Sequence, residues 1–98
     1  LKIPKWILEN LDNSLKILVK TKIGLGLNDV ECRELKLTSL FSKLHKHGYI
    51  EGTFFIGFKY HNEGSKLTER GKELLIELEK KIENEIITQI EKRNEYEL

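Results

Sequence analysis

From Leu35 to Ile50 the chain carries no acidic residue. That stretch holds Lys36, Ser39, Ser42, Lys43 and Lys46, with Arg33 just before it. Lysine and arginine neutralise phosphates and release condensed counterions, while serine hydroxyls hydrogen-bond to phosphate oxygens or base edges. If Leu37, Leu40, Phe41 and Leu44 form the buried face of a helix, these six residues fall on its outward side. Arg33 and Lys36, near the helix start, are placed to reach base edges if that end enters a groove. The competing reading is an ordinary solvated face of a lysine-rich protein.

Other residues that could do chemistry are less well arranged. Thr53, Lys59 and His61 lie in and after an aromatic stretch, and Lys59 is a candidate backbone contact. His45 and His47 form an H-x-H pair, but residues two apart on a helix point to different sides, so they are not expected to share a metal. Cys32 lies beside Arg33; the usual fate of a lone cysteine is a small, buried side chain. In "GLGLND" Asp29 stands where a dinucleotide-binding loop would need its third glycine, so a plain loop or a loose helix start is expected. No acid, base and nucleophile share a sensible spacing, so an enzyme is not expected, and neither is a cofactor.

At 98 residues the chain fits one small domain with a limited core, which makes help from a partner subunit plausible. Net charge is +1, but residues 1 to 61 carry ten Lys/Arg against six Asp/Glu, and residues 62 to 98 carry seven against ten. The basic part is where an anionic partner is sought. No apolar run is long enough to span a membrane, and "LKIPKWILENL" does not read as a signal peptide. One cysteine rules out an internal disulfide and suits a reducing compartment, so the cytoplasm is the expected location.

The elements that must position these residues follow from periodicity. Pro4 suits the first turn of a helix, and Ile7, Leu11, Leu15 and Leu18 continue at helical spacing. The cap-type residues Asp12, Asn13 and Ser14 interrupt it, so 4 to 22 reads either as one bent helix or as two, the second starting near Asn13. Asn28 followed by Glu31 looks like a capping box, so a short helix is expected within 24 to 35. Gly48 then stops the helix carrying Leu37 to Leu44. "YIEGTFFIGFKY" and "HNEG" read as strand and turn, returning through Lys66 and Leu67. Thr68 is a good N-cap for a helix running to about residue 94, with Leu74, Leu75, Leu78, Ile82, Ile86, Ile87 and Ile90 along one side.

Helix, short helix, helix, hairpin and long helix is the order of a winged helix-turn-helix. "LFSKLHKHGYIEG" is similar to the end of the recognition helix and first wing strand of MarR- and PadR-type regulators, where an "L..L...G.I" pattern is typical; here it is Leu40, Leu44, Gly48 and Ile50. "SKLTERGKELL" resembles the segment that closes their wing, through Leu67, Thr68, Gly71 and Leu75. The two segments cover about a third of the chain. The Gly-rich "GLGLNDVECREL" departs from the Ala- or Leu-rich second helix usual there, and no residues match those families' ligand sites.

The resemblance implies an α+β, mostly helical fold. A winged helix-turn-helix over 1–67 would be followed by a C-terminal helix over 68–98. The apolar stripe of that helix extends past what a small domain can cover, so Leu78, Ile82, Ile86 and Ile90 are expected to pair with a second copy; the competing reading is that the helix folds back on residues 4 to 19 of its own chain. The implied function is sequence-specific binding of double-stranded DNA as a homodimeric transcriptional regulator. Two alternatives share the pattern: a winged-helix module for protein interaction, and an architectural protein that coats DNA without sequence preference.

Overall fold

The computed structural model describes residues 2–52 and 64–96. Among them the elements run α1 (Lys5–Leu8), α2 (Leu11–Lys22), α3 (Asp29–Cys32), α4 (Leu35–Lys46), β1 (Ile50–Glu51), β2 (Lys66–Leu67) and α5 (Glu69–Tyr96). The described residues are mostly helical and include a two-stranded antiparallel sheet. The expected strand and turn between residues 53 and 63, with Thr53, Lys59 and His61, lie outside the described residues.

The N-terminal segment breaks two residues earlier than its cap-type residues suggest. Asn10 leaves helical geometry at φ −124° and ψ 39°. Its side-chain amide donates to the Trp6 carbonyl at 2.7 Å, the acceptor its own backbone N–H would take in a continued helix. Asp12, Asn13 and Ser14 therefore form the first turn of α2, which begins at Leu11.

The second and fourth helices end in the same way. After α4, Gly48 adopts φ +82°; its N–H donates to the His45 carbonyl at 3.1 Å, and the Tyr49 N–H donates to the Leu44 carbonyl at 3.0 Å. Gly24 closes α2 with the equivalent pair of bonds to Thr21 and Lys20. This double bond satisfies the last carbonyls and turns the chain sharply, at a backbone angle that suits glycine.

The turn after α4 feeds directly into the sheet, where Ile50 pairs with Leu67 and Glu51 with Lys66. Thr68 then links three elements. Its N–H donates to the Tyr49 carbonyl at 3.2 Å, and its hydroxyl donates to the Gly48 carbonyl at 2.6 Å and accepts from the Gly71 N–H at 3.0 Å. Gly71 is pressed against the same corner, because a Cβ there would lie 2.0 Å from the Tyr49 carbonyl oxygen. The carbonyl is backbone and a Cβ is fixed to the helix backbone, so the overlap is relieved only if α5 moves away from Tyr49. Gly71→Ala is expected to cost about 2 kcal/mol and to lower Tm by roughly 10 °C. Thermal unfolding followed by circular dichroism checks this; an unchanged Tm would contradict the close approach.

One core joins these elements: Ile7, Ile17, Leu18, Leu27, Leu37, Leu40, Phe41, Leu44, Tyr49, Ile50, Leu67, Leu74, Leu75 and Leu78. It crosses the boundary expected at 67/68, because the first turns of α5 pack on α2 and β2. Leu78 is 0% exposed, so it belongs to this core and not to the outer face with which it was grouped from its spacing. Beyond it Ile82 is half-buried, and Ile86 and Ile90 are each 52% exposed. Among the described residues, no helix is long and apolar enough to cross a membrane.

Candidate nucleic-acid interface

The outer face of α4 follows from the residues on its inner one. Leu37, Thr38, Leu40, Phe41 and Leu44 are buried against α2, α3 and β1. Lys36, Ser39, Ser42, Lys43 and Lys46 are all exposed. Lys36, Ser39, Lys43 and Lys46 recur at three- and four-residue steps, so they form one stripe along the helix, with Ser42 beside it. From Lys36 to Lys46 the stripe is about 15 Å long at 1.5 Å per residue. Arg33 is exposed in the two-residue turn between α3 and α4, just ahead of this stripe. Of the residues singled out from the sequence for this role, the five on α4 are exposed opposite its buried face, Arg33 is exposed in the turn before it, and Lys59 lies outside the described residues.

Lys43 is held more firmly than spacing suggests. Its ammonium sits 4.7 Å from the centroid of the Trp6 ring, which also stacks at a tilt against His47 at 5.1 Å. A cation over an aromatic face is attracted by the ring's quadrupole, so α1 fixes one charge of the stripe in place. Next to this cluster, Arg70 lies over the Tyr49 ring at 4.6 Å and donates to its hydroxyl at 3.3 Å. Nothing in the spacing of Trp6, Lys43 and Arg70 pointed to these contacts. Leu35 was also missed: it is 79% exposed at the leading end of α4, beside Lys36.

The start of α4 is oriented through α3, and α3 depends on Glu31. The capping box is present: Asn28 Oδ1 accepts from the Glu31 N–H at 2.8 Å, and the Glu31 carboxylate accepts from the Asn28 N–H at 2.9 Å. That carboxylate is also paired with two cations of α2, Lys16 at 3.0 Å and Lys20. Burial alone would raise the Glu31 pKa. The Asn28 N–H and the two ammonium groups outweigh it, and hold the carboxyl down at about 2 from an ordinary 4.5. The same contact raises Lys16 above its usual 10.5. Two cations of the basic part thus serve the fold rather than an outside anion.

The remaining candidates have structural surroundings. His45 Nε2–H donates to the Gly52 carbonyl at 3.0 Å, on a different side of α4 from His47. Cys32 is half-buried against the core, with its thiol 3.6 Å from the Leu27 carbonyl. Gly24 and Gly26 lie in the turn and loop between α2 and α3, preceded by a helix. No group of three His, Cys, Asp or Glu residues able to hold a metal occurs among the described residues.

The chain matches no protein-family profile, no curated protein and no solved structure.

Proposed function

We propose that this protein is a winged helix-turn-helix that binds double-stranded DNA with sequence preference and works as a homodimeric transcriptional regulator. The observation that carries the reading is the acid-free Lys/Ser stripe of α4, exposed opposite the core and led by Arg33. In this reading α3 and α4 are the helix-turn-helix pair, and α4 enters the major groove by its N-terminal end. Lys43 and Lys46 bind phosphates, while Arg33, Lys36 and Ser39 face base edges. Leu35 adds an apolar side chain where a thymine methyl would be met. The sheet of β1 and β2 follows α4 directly, where a wing would begin.

Dimerisation through the exposed isoleucines of distal α5 brings two such stripes onto successive grooves. Regulation then works by occupancy of an operator. Binding to random-sequence duplex DNA across a salt series, with sequencing of the retained fraction, tests the reading. The expected result is an enriched, roughly palindromic motif. Retention without enrichment would favour an architectural role, and no retention at low salt would turn the search to a protein partner.

A further inference from the structure

Ile86 is the centre of a symmetric pattern on α5. Ile82 and Ile90 stand four residues to either side, and Glu79 and Arg93 stand seven to either side. Seven residues are close to two turns, so all five share one stripe, which reads acid, Ile, Ile, Ile, base. Glu79, Ile86, Ile90 and Arg93 are exposed and Ile82 is half-buried where the stripe leaves the core. A pattern of this kind is complementary to itself only when reversed.

We infer that α5 pairs antiparallel with α5 of a second copy, in a register centred on Ile86. Each Ile86 then meets its counterpart, each Ile82 meets an Ile90, and each Glu79 meets an Arg93. Glu83 and Gln89, three residues to either side of Ile86, flank the seam as an acceptor and a donor. A parallel pair in register would set acid against acid and base against base at the two ends of the seam. The inference rests on the homodimer proposed above and adds its direction and register.

The register also sets the reach of the dimer. Leu74, Leu75 and Leu78 anchor α5 in the core, about ten residues before Ile86, or about 15 Å along the helix. Two-fold symmetry doubles this to about 30 Å between the two cores along the paired helices, close to the ~34 Å between successive major grooves.

Charge exchange in the full chain tests it, read as the monomer–dimer constant in analytical ultracentrifugation. Glu79→Arg alone and Arg93→Glu alone are each expected to weaken self-association about tenfold, because each places like charges at both ends of the seam. The double variant Glu79→Arg/Arg93→Glu is expected to restore it, and so is an equal mixture of the two single variants. Cross-linking in a Cys32→Ala background gives a second readout. Glu79→Cys mixed with Arg93→Cys should form the mixed disulfide and neither self-linked species. A dimer that the double variant does not rescue would overturn the antiparallel register and leave the homodimer standing, because the mixture would pair opposite charges in a parallel dimer as well. A wild-type chain that stays monomeric at high micromolar concentration would overturn both.

Discussion

Replacing Glu31 with Gln is expected to lower stability by about 3 kcal/mol at neutral pH, as judged from the carboxyl's displacement from 4.5 to about 2 at 1.36 kcal/mol per unit. The side chain is 6% exposed and holds the Asn28 N–H, Lys16 and Lys20 together. Removing its charge leaves the half-exposed Lys16 to solvent and the more enclosed Lys20 ammonium without the carboxylate that pairs it, so the loss falls mainly on Glu31 and Lys20. The sign of the pH dependence follows. A depressed carboxyl stabilises the fold fully above its unfolded value of 4.5, and that contribution is lost as pH falls through 2. Lys16, raised above 10.5, acts in the opposite range: its share is present below that value and lost as pH rises past it. Urea unfolding at several pH values reads this directly. The wild type should lose stability steeply between pH 4.5 and 2, and Glu31→Gln should be flatter there. Parallel curves would contradict the role given to Glu31. Because α3 sets the entry to α4, the same variant should also weaken DNA binding at temperatures where it remains folded.

The second large effect separates the two ends of the stripe. Lys43→Ala/Lys46→Ala is expected to weaken binding to every duplex alike. Each lost phosphate contact removes about 0.9 from the log–log salt slope, so a dimer losing four should lose about 3.6. Arg33→Ala and Ser39→Ala should instead reduce the preference for the selected sequence. A bidentate arginine on a guanine is worth about 1–3 kcal/mol of discrimination, which is roughly a tenfold to hundredfold narrowing between operator and random DNA. Anisotropy titrations on both duplexes across a salt series distinguish the two kinds of loss. If all the variants lose affinity equally on both duplexes, the division between phosphate and base contacts is wrong. Trp6→Leu offers a related comparison, since it frees the Lys43 ammonium from its ring without removing the charge.

How much of this was legible depends on the range of the interaction. The α4 face, the Gly48 stop, the Asn28–Glu31 capping box and the Thr68 cap are written within a few neighbouring residues, and each is present. The break at Asn10 was misplaced at 12–14, because three cap-type residues in a row suggest a start, whereas one side chain reaching back to Trp6 makes the stop. The local sequence shows Glu31 as a cap only. Its burial and its two lysines come from α2, eleven and fifteen residues earlier in the chain, where no local pattern can show them. The need for glycine at 71 likewise arises from a backbone passing 22 residues away, at Tyr49. Leu78 and Ile82 follow the same helical spacing, yet one lies in the core and the other at its edge; periodicity shows a face but not where the domain beneath it ends.

The central claim is that the α4 stripe reads DNA, and selection from a pool of random duplexes tests it most directly. The chain is equilibrated with the pool at increasing salt, and the retained duplexes are sequenced. The expected result is retention that falls steeply with salt and an enriched motif of two inverted half-sites about one helical turn apart, lost when Arg33 and Ser39 are replaced. No retention at the lowest salt would contradict it.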